Sequence, residues 1–244
     1  EEHSERVAGF VRRLAEAAGW PPVPVAQLAE AARIHDVGKI CIPDEVLLKP
    51  AAEGVKSRRS QLFVFVTAEE AGLLGSRYFA DNPTVPRDSI VAQLNMDMIG
   101  RGAAADNTGI TKEGVRNHGN PDYVQLVGSR RLSTELGDLA ESVNRAEKRP
   151  LSFDYSMDAN GHPQNIYCRS DHYEYARYGI PIIFFTTGGH ADYHQVTDEP
   201  QYIDYDRMAR VAQYVADLAT RVGNLDHRPL VDKPKPDPKG QCVQ

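Results

Sequence analysis

No stretch of this chain approaches the roughly 20 consecutive apolar residues that a bilayer-spanning helix needs, so a membrane is not an expected partner. Positive charge is also in short supply: 28 Lys and Arg stand against 34 Asp and Glu, for a formal net charge of −6. Without a broad cationic surface the chain has little to offer a nucleic-acid backbone, and nucleic acid is excluded as an expected partner. Cysteine is scarce, with Cys41, Cys168 and Cys242 far apart and no Cys-x-x-Cys pair. That spacing excludes a zinc knuckle and a dense disulfide framework. Cys41 and Cys168 read as small core hydrophobes, with a single Cys168–Cys242 bridge as the alternative. The N-terminal segment is charged and helix-like and lacks a cleavable signal pattern, so no export address is expected.

What is present is a globular composition, 41% hydrophobic and 25% charged over 244 residues, enough for one sizeable core or two small ones. Residues 1–50 carry two helical patterns, Val7, Phe10, Val11, Leu14 and Ala18, then Val25, Leu28, Ala29 and Ala32, separated by Gly19-Trp20-Pro21-Pro22. They predict a helical hairpin. Residues 51–60 are small, polar and unpatterned, as a junction should be.

From residue 61 to 225 strands alternate with helices. Strands are expected at 61–67, 89–96, 123–128 and 180–186, and helices at 70–80, 131–147, 171–178 and 204–221. The first helix should bury Leu73, Leu74, Tyr78 and Phe79. The last should bury Met208, Val211, Ala212, Val215 and Leu218. The expected class is α/β, a mostly parallel or mixed central sheet with helices on both faces. Residues 226–244, with four prolines among charges, should form an extended, mobile tail.

The candidate chemistry clusters at strand ends, where open α/β sheets bind ligands. Glu69-Glu70 follow the apolar run Leu62-Phe63-Val64-Phe65-Val66. Asp97 closes the run that ends Asn95-Met96-Asp97-Met98-Ile99-Gly100, and Asp192-Tyr193-His194 follows the last strand. Ser170-Asp171-His172 precedes a helix, with Ser170 or Asp171 as its expected N-cap. Adjacent carboxylates can divide labour, one binding a metal while its neighbour takes a proton from water.

These pieces, in this order over residues 60–222, resemble the co-catalytic zinc aminopeptidases, a family that also contains glutamate carboxypeptidase and the glutaminyl cyclases. The resemblance implies a zinc-exopeptidase fold and up to two Zn2+ ions. It makes Glu69 the general base, Glu70 and His194 ligands of one zinc, Asp97 a ligand of the other, and Tyr193 a hydrogen-bond donor to the oxyanion. It also places Asp171 and His172 in support near the site and Asp198 behind His194, with His190 as the weaker histidine of that loop. The implied activity is removal of N-terminal residues from peptides.

Residues 1–50 look different. His3-Ser4-Glu5-Arg6-Val7, His35-Asp36-Val37-Gly38-Lys39 and Ile42-Pro43-Asp44-Glu45 resemble the start of an HD-GYP cyclic-dinucleotide phosphodiesterase, in which His35, Asp36 and His3 would bind metal and Lys39 substrate phosphate. The further helices of that family do not follow Pro50. Equally, the zinc-aminopeptidase resemblance implies an upstream histidine and a metal-bridging aspartate, and nothing between Ala51 and Gln61 matches them. The expectation is therefore a truncated peptidase domain behind a phosphodiesterase fragment, with metal binding and activity impaired by missing ligands. Its alternatives are a metal-dependent phosphodiesterase or an inactive, binding-only hybrid. The missing strands also imply self-association through an exposed sheet edge. Relatives of the second piece are often exported and those of the first act in the cytoplasm, so localisation stays open.

Overall fold

A computed structural model describes residues 57–102 and 120–244 of the chain. The chain divides after Leu47 into two units, Glu1–Leu47 and Leu48–Gln244, and the described residues belong to the second. The hairpin expected over 1–50, with His3, His35, Asp36 and Lys39, lies outside them. So do most of the junction and residues 103–119.

The element that organises the described part is the strand Ile182–Thr186, every residue of which is buried. A short run of Ile and Phe with no polar alternation suits a strand covered on both sides. Numbered in chain order, the strands are β1 (Gln93–Met96), β2 (Tyr123–Val127), β3 (Ser152–Asp154) and β4 (Ile182–Thr186). They form one mixed sheet in the order β1-β4-β2-β3. β1 pairs with β4 in parallel, β2 with β4 antiparallel and β2 with β3 in parallel. The helices are α1 (Leu74–Asp81), α2 (Thr134–Ala146), α3 (His172–Ala176) and α4 (Tyr205–Gly223).

Successive strand residues point to opposite faces, and β4 shows which helices lie on each. The Phe184 ring stacks on His172 of α3 at 4.6 Å between centroids, while Phe185 meets Tyr214 of α4 at 5.9 Å. Thus α1 and α3 cover one face, and α2 and α4 the other. On α4 the expected stripe Met208, Val211, Ala212, Val215 and Leu218 is buried throughout. The helix starts on an Asp204 cap whose carboxylate accepts from the Arg207 amide. Ser133 does the same for α2.

Three expectations change. The strand expected at 61–67 does not form: Leu62, Phe63 and Phe65 are 54%, 60% and 55% exposed. A strand needs a neighbour for its amides and carbonyls, and among the described residues the sheet ends at β1. The segment is instead held at its end, where the Gly75 amide donates to the Thr67 carbonyl at 3.0 Å. A Cβ at Gly75 would come within 2.4 Å of that oxygen.

Consequently α1 loses a surface to pack on. It buries Ser76 and Ala80, while Leu74 and Tyr78, expected inside, are exposed, and only Leu73 and Phe79 turn inward. β3 was not expected, because three residues are too few to show a period.

The tail after Asp226 has no helix or strand, as expected, but it is not loose. Cys242 is disulfide-bonded to Cys168, the alternative reading for that pair, while Cys41 lies outside the described residues. The Gln244 side-chain carbonyl accepts from the Tyr167 amide, and Glu135 of α2 accepts from the Leu230 amide. No described helix is long and apolar enough to cross a membrane.

Two outcomes test this fold in urea titrations. Phe185→Ala, at a site with no exposure, costs about 3–5 kcal/mol, whereas Phe63→Ala costs less than about 1 kcal/mol. Cys242→Ser, which opens a bridge spanning 74 residues, costs about 2–4 kcal/mol.

Candidate active site

The pairing of β1 with β4 puts the two strand ends side by side. The Asp97 amide donates to the Phe185 carbonyl at 3.2 Å, and Thr187 donates to the Met98 carbonyl through both its amide and its hydroxyl, at 2.9 and 2.6 Å. Asp97 thereby faces the turn-rich segment 188–198 that holds Tyr193 and His194. Glu69 and Glu70 arrive separately, from the turn before α1. His194 Nε2 lies 2.8 Å from Glu70 Oε1, and the His194 ring stacks on Tyr193 with centroids 3.9 Å apart.

Asp97 is held from behind. Ser170 Oγ donates to Asp97 Oδ2 at 2.8 Å and accepts from Asn95 Nδ2 at 3.0 Å. Neither Ser170 nor Asp171 caps α3 with its side chain as expected; the Ser170 hydroxyl is committed to Asp97.

Like charges crowd here. Burial, then the negative charges of Asp97, Glu70 and Asp171, push the Glu69 carboxyl up to about 7, opposed by Arg169. Asp97 is raised by burial and by Glu70, against its Ser170 hydrogen bond, and Asp171 by burial and by Asp97. Burial and the same carboxylates also raise the Tyr193 phenol, against Arg169, so it remains a neutral donor. A carboxylate poised near neutrality can take and return a proton, and the crowding as a whole favours a cation.

In number, though, the donors fall short. Among the described residues no group of three or more His, Cys, Asp or Glu side chains is placed to hold a metal ion, and a catalytic zinc takes three protein ligands. Glu70 and His194 form a pair, with Asp97 coupled to both electrostatically. The described residues therefore suit a cation in charge without completing its coordination.

The backbone is strained where it presents these groups. Ala68, Met98 and His194 take left-handed φ values of 57°, 57° and 59°. They are the residue before Glu69, the residue after Asp97 and one of the candidates itself. Non-glycine residues in that region cost about 1–2 kcal/mol each.

Three weaker candidates take places that the sequence did not specify. Asp198 makes no direct hydrogen bond to His194: its carboxylate accepts from Arg101 Nη1 at 2.8 Å and lies 3.5 Å from His190 Nε2. His190, the weaker histidine of the loop, has a side chain only 4% exposed, against 52% for His194. His172 is fully buried between Phe184 and Tyr167. Arg101 was missed, although it directly follows Asn95-Met96-Asp97-Met98-Ile99-Gly100. The local signal was an arginine next to a glycine at a strand end, which specifies no partner.

Residues 24–219 match the model of Peptidase family M28. This chain belongs to peptidase family M28. The M28 chain is also 50% identical over 48 residues to a cyclic di-GMP phosphodiesterase of Thermotoga maritima, which covers 20% of this chain and 13% of that protein, in keeping with the resemblance of its first 50 residues. Among solved structures it is similar to an aminopeptidase from Aneurinibacillus sp. (19% identity, TM-score 0.46, covering 70% of this chain and 35% of that one). It is also similar to the LapA aminopeptidase of Legionella pneumophila (18%, 0.48, 68% and 39%) and to BSAP, a zinc aminopeptidase of Bacillus subtilis (17%, 0.43, 64% and 34%). The M28 chain spans between a third and two fifths of the length of these structures.

His172 in this M28 chain makes its stability sensitive to acid. Burial pushes the imidazole down to about 3 from 6.5, with the Tyr167 backbone opposing. The unfolded chain takes up that proton below about 6.5 and the folded chain does not until about 3, so stability falls as pH drops through that window. His172→Phe keeps a ring against Phe184 and removes the proton site. Urea midpoints measured from pH 7 to 4 fall less steeply in the variant than in the parent.

Proposed function

We propose that the chain hydrolyses peptides from their N-terminus at the cluster of Glu69, Glu70, Asp97, Tyr193 and His194. Membership in a peptidase family supports the hydrolysis. The resemblance of the ordered motifs to the co-catalytic zinc aminopeptidases supports the choice of bond. The observation that carries the reading is the meeting of Glu70 with His194 at 2.8 Å, with Glu69 next in sequence, beside the strand end that presents Asp97.

In this reading Glu69 accepts a proton from the water that attacks the scissile carbonyl and returns it to the departing amine. Tyr193, a neutral phenol, donates a hydrogen bond to the oxyanion, a contribution of a few kcal/mol in comparable sites. Asp97 stays fixed by Ser170 while these groups act. The zinc implied by the resemblance would take Glu70 and His194, with Asp97 beside them, and would need at least one more donor from outside the described residues. The Cys168–Cys242 bridge supports an oxidising compartment, where disulfides persist.

The test is hydrolysis of aminoacyl amides by the full chain, with zinc content measured after dialysis. Glu69→Gln lowers turnover by about 10²–10⁴-fold and leaves the zinc content unchanged. His194→Ala lowers the zinc content itself. Equal turnover by the parent and Glu69→Gln contradicts the assignment.

A further inference from the structure

The segment 188–198 carries Tyr193 and His194 but contains neither helix nor strand. Its own hydrogen bonds are local: Tyr193 to His190, Gln195 to Asp192 and Asp198 to Gln195. Such turns shape the loop without fixing where it sits against the strand that ends on Asp97.

Arg101 spans that gap. Its side chain is 6% exposed, and its two terminal nitrogens part to different carboxylates: Nη2 donates to Asp192 Oδ2 at 2.9 Å and Nη1 to Asp198 Oδ1 at 2.8 Å. The two acids flank His194, two residues before it and four after. Each is braced further, Asp192 by the Thr197 hydroxyl at 2.7 Å and Asp198 by His190 at 3.5 Å. The guanidinium also lies over the Tyr202 ring, 5.6 Å from its centroid.

The arginine is itself anchored. Arg207 of α4 donates to the Arg101 carbonyl at 3.1 Å, and the Asp204 amide donates to the Gly100 carbonyl at 2.7 Å. From Asp97 to Arg101 is only four residues, so the backbone that presents Asp97 also holds the clamp on the His194 loop.

We propose that Arg101 is a positioning residue, which holds Tyr193 and His194 in register with Asp97 and Glu70 by clamping Asp192 and Asp198; this rests on the reading of that cluster as the hydrolytic site. A forked, planar guanidinium satisfies two separated carboxylates at once, and a lysine ammonium cannot reproduce that geometry. Misplacing reacting groups by about 1 Å can cost about 10²-fold in rate.

The test is Arg101→Lys in the full chain, read in three ways. Amide exchange over 188–198 accelerates at least about tenfold, as expected from the loss of a charged hydrogen bond, while exchange in β2 is unchanged. The His194 ring resonances, assigned with His194→Gln, shift or broaden. With an aminoacyl amide, kcat falls about 100-fold while KM stays within about threefold, a split that general destabilisation would not produce. Should Arg101→Lys fail to fold, Asp198→Asn cuts one arm at its more exposed end and moves the same readouts in the same direction.

Parent-like exchange, ring signals and kcat in the folded variant overturn the clamp and leave the hydrolysis standing. If the parent hydrolyses nothing, the hydrolytic reading fails, and exchange and the His194 signals still decide whether Arg101 holds the loop. Unchanged exchange and ring signals in Asp198→Asn, with Arg101→Lys unfolded, also overturn it.

Discussion

The parallel pairing of β1 with β4 is the constraint from which the rest of the described structure follows. It aligns two strand ends that are some 90 residues apart in sequence, so that Asp97 leaves one strand where the loop bearing Tyr193 and His194 leaves the other. β4 can impose this because all its residues are buried, with a helical layer on each face. Burying one such aromatic side chain is worth about 1.5–3 kcal/mol. Several together can hold the left-handed residues Ala68, Met98 and His194 in place, each at a cost of about 1–2 kcal/mol.

Around that alignment the electrostatics have two parts with opposite logic. On the open side, burial and neighbouring negative charges raise Glu69, Asp97 and Asp171 beside Glu70, and Glu69 is pushed up to about 7. On the closed side, the buried Arg101 guanidinium lies between Asp192 and Asp198, so each carboxylate faces a positive charge. The first arrangement holds unspent repulsion that a cation or a transferred proton relieves. The second is satisfied already, and its effect is geometric. The His194 loop belongs to both, with its histidine against Glu70 and its aspartates against Arg101.

The tail and α3 form a further layer of support. Cys168 lies two residues before Ser170, whose hydroxyl fixes Asp97, and it is bonded to Cys242 near the end of the chain. The turn Ile166–Cys168 is thus tied from two directions, by the disulfide and by Gln244 against Tyr167. A proline-rich, charged segment with no secondary structure therefore contributes to the surroundings of the site, although its composition alone reads as a mobile tail.

Amino-acid order alone settled the α/β alternation, the buried stripe of α4, the existence of strand β4 and the peptidase family. Each of these is a local pattern, because a hydrophobic period or a short motif is written in neighbouring residues. The same order identified Glu69, Glu70, Asp97, Tyr193 and His194 as candidates, although the strand expected before Glu69 and Glu70 does not form. Only the tertiary structure decided that Leu62 to Phe65 form no strand, since pairing depends on a neighbour that no local pattern reports. It alone decided that Cys168 meets Cys242, that Ser170 serves Asp97 rather than a helix end, and that Asp198 pairs with Arg101. All of these are contacts between residues far apart in sequence, and their partners are chosen by distance and burial in the folded chain.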